Sequence, residues 1–128
     1  MEVLIVVAVI GVIAAIAIPS YTRYAERTKR GDAMTALLSA VNSVERYKAS
    51  NNFSYVGADT AGIIPTQVPV DGGTPYYTIA LSNVTATTYT ITATPINSMA
   101  GKKTLGINQN GSKTWGADNC WPESGDSC

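Results

Sequence analysis

The chain has 128 residues, no histidine and two cysteines, and its nine Lys and Arg balance nine Asp and Glu to a formal net charge of zero. That balance gives no electrostatic reason to expect nucleic acid or an acidic partner, and the lack of imidazole removes the commonest general base, metal ligand and physiological pH switch. Charged residues are 14% of the chain, so much of the surface is neutral Ser, Thr, Asn, Gly and Ala, which suits packing against copies of itself.

The first element follows a carboxylate. After Glu2, Val3 to Ile18 is unbroken apolar sequence. Sixteen to eighteen helical residues span roughly 25 Å, slightly less than the hydrocarbon core of a bilayer. A few residues upstream would complete the span, and the basic flank that normally precedes such a segment is absent, so the chain is expected to lack a few residues at its start. A signal peptide fits poorly, because the segment ends in Ile-Pro rather than in small residues. A core helix apolar on every face needs a larger protein around it. A membrane helix fits. Pro19 lacks an N–H and clashes with the preceding turn, which predicts a kink, and Gly11 is a second soft point.

Beyond the kink the pattern becomes amphipathic. Met34, Leu37, Leu38, Val41, Val44 and Tyr47 recur at steps of three and four, which predicts a helix to about Ser50. One helix of roughly fifty residues is about 75 Å long, more than the remaining chain can cover. Its front half must be buried in something else, first a membrane and then other subunits. Arg23, Arg27, Lys29 and Arg30, with Glu26 among them, read as a solvated juxtamembrane stripe at the lipid headgroups. The positive-inside rule would hold this flank in the cytoplasm, whereas the cysteines argue for an exported domain; a stronger basic flank upstream would resolve the conflict. Glu45, beside Arg46 and Lys48, reads as a solvated helix charge.

Residues 51–75 are rich in Gly, Pro, Asn and Asp and read as a long structured loop. Strand signals follow at Tyr76–Leu81, Thr87–Pro95 and Lys103–Ile107, with a short fourth at Ser112–Trp115 after the turn Asn108–Gly111. The expected fold is α+β: a long N-terminal helix, apolar in its first half and kinked near Pro19, packed by its amphipathic second half on a three- to four-stranded antiparallel sheet. Residues 1–20 form the hydrophobic half-helix and 21–128 the globular domain: helix 21–50, loop 51–75, sheet 76–115 and C-terminal loop 116–128.

The sequence offers no catalytic set, no metal-ligand cluster and no phosphate-binding glycine loop, so no enzyme and no cofactor is expected. Asp118, Glu123 and Asp126 could in composition hold calcium, but three acids in a short loop are more often plain surface. Cys120 and Cys128 are either a disulfide closing a short loop or two free thiols; the Gly, Asp, Asn and Pro around them favour the loop. Trp115 and Trp121 flank it, either packing over the strand edge or serving surface recognition. Glu2 also has two readings. A carboxylate favours the helix N-terminus through the helix dipole. Alternatively, in a bundle of copies it pairs with the N-terminal amine of a neighbouring subunit, which would set the axial register because any other stagger leaves a buried charge unpaired.

The stretch "EVLIVVAVIGVIAAIAIPSYTRYAERTKRGDA" resembles the N-terminal helix of type IV pilins, with its acid, apolar run, Gly11, Pro19, Tyr21 and Tyr24. "SVERYKASNNFSYVG" is similar to that family's helix end, and "YYTIAL", "TYTITATP" and "TLGINQNGSKTW" followed by "NCW" more loosely to its strands and cysteine-closed C-terminus. The resemblance implies a long helix carrying a four-stranded sheet, a leader cut before a residue that becomes N-methylated, and residence in the bacterial inner membrane. Subunits then join an extracellular helical pilus of copies of the chain through the inner-membrane assembly machinery. It implies assembly roles for Glu2, Gly11 and Pro19 and a disulfide Cys120–Cys128. The exposed C-terminal loop would meet a surface or DNA. The function implied is a pilus subunit for adhesion, twitching motility or DNA uptake. The alternatives are a minor pilin priming or tipping the filament, a secretion-system pseudopilin, or a lone membrane-anchored binding module.

Overall fold

A computed structural model describes residues 1–123 and 125–128. Helix α1 runs Glu2–Ser50, 49 residues without a break, and carries Pro19 inside it. The missing N–H of Pro19 removes one ladder bond, yet the helix continues through it. The helix ends where Asn51 leaves helical geometry, its N–H donating to the Lys48 carbonyl at 3.2 Å. Asn52 and Phe53 then take positive φ of 52° and 57° and turn the chain back. The Tyr47 hydroxyl donates to the Val56 carbonyl at 2.8 Å, and the Asn51 amide to the same carbonyl at 3.1 Å, which fixes this corner.

The chain returns as a five-stranded sheet in simple order, β1 (Gln67–Val68), β2 (Tyr77–Ser82), β3 (Thr90–Pro95), β4 (Leu105–Asn108) and β5 (Lys113–Trp115), each antiparallel to the next. The sequence pattern predicted three or four strands, and the extra one is β1, inside the segment read as loop. A strand of two residues, set between Pro65 and Pro69, is too short to display an alternating pattern. β1 is held by flanking backbone bonds, Tyr76 N–H to Val68 C=O at 2.8 Å and Ile79 N–H to Thr66 C=O at 2.9 Å.

The register places Ile79 opposite Ala93, Leu81 opposite Ile91, Ile91 opposite Ile107 and Ala93 opposite Leu105, so alternate residues share the inner face. That face meets a helix stripe of Ala33, Ala36, Leu37, Ala40 and Val44, all buried. The alanines let the helix lie close to the strands, and Leu37 and Val44 fill the space between. Burying a side chain of that size contributes roughly 1.5–3 kcal/mol. Tyr77, Tyr89, Ile91 and Leu105 close the core from the sheet. Of the apolar helix positions read from the pattern, Leu38 lies off this stripe and stays 46% exposed.

Candidate functional site

Two regions stand out from the fold: the uncovered N-terminal half of α1, and the collar where the helix enters the sheet domain. In the first, an 18-residue window has mean hydropathy 2.9 and is 0% buried, long and apolar enough to cross a membrane. Glu2, Gly11 and Pro19 all lie on this exposed half. A side chain at Gly11 would meet nothing within 4 Å, so no contact inside the chain requires glycine there. Tyr21 and Tyr24, at the end of the apolar run, are 74% and 69% exposed.

The collar is built from the basic stretch read as a solvated stripe, and the structure revises that reading for Arg27, Lys29 and Arg30, while Arg23 stays exposed. Arg30 is buried. Its Nη1 donates to the Gly125 carbonyl at 2.8 Å, its Nη2 lies 3.7 Å from Asp126, and its guanidinium sits 4.9 Å from the centre of the Trp115 ring. Arg27 reaches the same carboxylate, Nη2 to Oδ2 at 3.2 Å, and this hydrogen bond holds the Asp126 carboxyl below the usual carboxylate range. Lys29 donates to the Ser98 hydroxyl at 3.0 Å, and Glu26 pairs with Lys102 at 3.1 Å. The basic stretch therefore fastens the lower rim of the domain, residues 98–102 and 125–126, to the helix. A signal for Arg30 was present in the sequence: it sits three residues before Ala33 and seven before Leu37, on the stripe that faces the sheet.

Cys120 and Cys128 form a disulfide, with Cα atoms 6.2 Å apart. The acids of this region each meet a different basic group: Asp118 meets Lys103 at 2.9 Å, Glu123 meets Lys113 at 3.4 Å, and Asp126 meets the collar arginines. Surface recognition by Trp115 and Trp121 is corrected. Their rings are 8% and 4% exposed and belong to the core, with Trp121 Nε1 donating to the Gly106 carbonyl at 3.0 Å. Lys103 and Lys113 lie over these two rings at 4.3 and 4.9 Å, so the lysines, not the indoles, meet solvent.

At the far end of the helix, Glu45 is likewise not a solvated charge. Its Oε1 accepts from the Tyr55 hydroxyl at 2.8 Å and the Tyr89 hydroxyl at 3.2 Å, and the two rings meet edge-on with centroids 4.7 Å apart. Burial, and then the hydrogen bond to this carboxylate, pushes Tyr55 up to about 12. Tyr76 is likewise pushed up to about 12 by burial and by its 2.6 Å hydrogen bond to Asp32. These tyrosines tie sheet and loop to the helix through its carboxylates.

A model of the family described as "Type IV minor pilin ComP, DNA uptake sequence receptor" matches residues 19–106, well over half of the chain. The chain belongs to this family. Among solved structures, PilV, a non-core minor pilin of Neisseria meningitidis, superposes with a TM-score of 0.62 over 81% of this chain and 99% of that one, at 18% identity. That likeness is one of fold. No curated protein matches the sequence. The pilin match begins at Pro19, where the apolar segment ends, and stops within β4, before the disulfide loop. It therefore covers the collar helix and most of the sheet. As a pilin, the chain is a subunit of a type IV pilus, and family and fold are those of structural proteins.

Proposed function

We propose that this pilin is held in the bacterial inner membrane by residues 1–20 and then passed by the pilus assembly machinery into a type IV pilus, packing through the same half-helix against copies or related pilins. The observation that carries the reading is the apolar half-helix that none of the described residues covers. In water its exposure is costly, because burial of apolar area stabilises at about 25 cal/mol per Å². A membrane and a helical bundle both remove that cost. Within the bundle Glu2 pairs with a neighbour's N-terminal amine and fixes the register. Gly11 and Pro19 let the half-helix loosen as it is packed. The Cys120–Cys128 loop stays on the domain surface.

The family description supports a minor pilin of a DNA-uptake pilus over one for adhesion or twitching. The test is a Glu2→Ala variant followed in membrane fractions and in sheared surface filaments of the native cell. The expected result is normal membrane content and loss from the filaments. Undiminished filament content of the variant would overturn the assembly role of Glu2, and absence of the parent chain from filaments would favour a lone anchor.

A further inference from the structure

Charge on this neutral chain is not spread evenly. The lower rim and the helix leading to it carry Arg23, Arg27, Lys29, Arg30 and Lys102 against Glu26, Asp32 and Asp126, a local net charge of +2. The far end carries Arg46 and Lys48 against Glu45 and Asp59 and is balanced.

The rim also has a fixed height. α1 is unbroken from the apolar run into the collar, so Arg23 lies about 7.5 Å and Arg27 about 13 Å beyond Ile18 along the axis. The headgroup zone extends roughly 5–8 Å beyond the hydrocarbon core. Helical side chains lean toward the N-terminus, and arginine and lysine extend their charge along an apolar stem. Arg23 and Arg27 therefore reach the phosphate level. Tyr21 and Tyr24, exposed at the same height, have the amphipathic character that favours that zone. The acids are engaged, Glu26 by Lys102, Asp126 by the arginines and Asp32 by the Tyr76 hydroxyl, and Arg30 is buried, so Arg23 and Arg27 carry the exposed positive charge nearest the bilayer.

We propose that the collar is a docking surface for anionic phospholipid headgroups, which seats the pilin domain on the membrane before assembly. The inference rests on the membrane anchor of the preceding section. It goes further by giving the domain a resting orientation and a lipid class. Loading the subunit into a filament then requires the collar to exchange lipid phosphates for other contacts.

The experiment uses the full chain reconstituted into bilayers of phosphatidylcholine alone, or with phosphatidylglycerol added, each carrying a dansyl-labelled lipid headgroup. Trp115 and Trp121 are the only tryptophans, so energy transfer to dansyl reports the height of the domain. Each cation at an anionic surface is worth about five-fold in the seated population. Transfer is expected to rise with phosphatidylglycerol and to fall at high salt. It should also fall in Arg23→Gln/Arg27→Gln, whose seated population drops by about 30-fold. Arg46→Gln/Lys48→Gln, at the far end, should behave as the parent does. Near-UV circular dichroism confirms that each variant is folded. Equal transfer in both bilayers overturns the proposal. So does a collar variant that weakens binding of duplex DNA added to the neutral bilayer while leaving transfer unchanged, since the collar then serves nucleic acid. Release of the parent chain from both bilayers by alkaline carbonate overturns the anchor itself, an outcome distinct from stable insertion without lipid dependence.

Discussion

Replacing Arg30 by methionine tests whether one buried cation holds the C-terminal loop in place. Methionine matches much of the length but cannot donate to the Gly125 carbonyl at 2.8 Å or stack its charge over Trp115 at 4.9 Å. A hydrogen bond from a charged donor contributes about 1.5–3 kcal/mol, and a shielded cation–π contact about 0.5–2 kcal/mol. Against these stands the desolvation cost of burying the guanidinium, which methionine does not carry. The net expectation is a loss of about 2–3 kcal/mol. For a domain near 100 residues this lowers the melting midpoint by about 10–20 °C. The assay is thermal unfolding of the full chain in detergent micelles, followed by near-UV circular dichroism, where the buried Trp115 and Trp121 report the loop. Asp126→Asn serves as the comparison. It removes the exposed pair with Arg27, which water screens, and the 3.7 Å contact with buried Arg30, but leaves the hydrogen bond from Arg30 to Gly125 in place, so its midpoint should fall by less than half as much as that of Arg30→Met. If Arg30→Met unfolds within about 0.5 kcal/mol of the parent, the burial and stacking of Arg30 do not fasten the loop and the account given for the collar is wrong.

Leu37→Ala leaves a hole where a fully buried side chain meets the sheet and should cost about 3–5 kcal/mol in urea unfolding. Gly57→Ala should destabilise by about 1–3 kcal/mol, because φ there is +90° and the new methyl lands 2.6 Å from the Tyr47 hydroxyl; an unchanged midpoint would show that the corner yields. Replacing Cys120 and Cys128 by serine reopens a short loop of sequence separation 8 and should lower stability by about 2–3 kcal/mol, a loss that reductant reproduces in the parent and not in the variant. Tyr55 and Tyr76 are held up to about 12 in the fold against about 10 in the unfolded chain. Their protonated hydroxyls therefore add stability that is complete below pH 10 and is lost as pH rises through about 12. A pH series of unfolding midpoints should show this alkaline decline, and Tyr55→Phe should reduce it.

The long helix and its end near Ser50 were legible because the apolar run and the three-four spacing that follows are both strong periodic signals. β2 to β5 were legible within three residues at their ends, since "YTIALS" and "TITATP" alternate. β1 was not: it exists through backbone bonds to β2 and carries no pattern of its own. The charges were read least well. Arg30, Glu45 and Asp126 look like ordinary surface residues in the sequence, and what makes them structural is a partner lying 95, 44 and 99 residues away in the chain. For the tryptophans the sequence leaves packing and surface recognition both open, for a related reason. An indole beside a loop reads as exposed until the Gly106 carbonyl that receives its N–H is in place. Alternative partners at such distances are invisible to any local pattern.

The unbroken course of α1 from the apolar run into the sheet domain has a mechanical consequence. No flexible linker separates the part that would lie in lipid from the part that carries the sheet, so the helix acts as a lever with Pro19 near its fulcrum. The arm beyond Pro19 is about 45 Å long. A tilt of about 20°, ordinary for a membrane helix, would swing its far end by about 15 Å. A tilt of the helix beyond Pro19 therefore arrives at the Tyr55–Glu45–Tyr89 corner as a displacement several residues wide, and Pro19 is the one point along this arm at which a bend can be taken up.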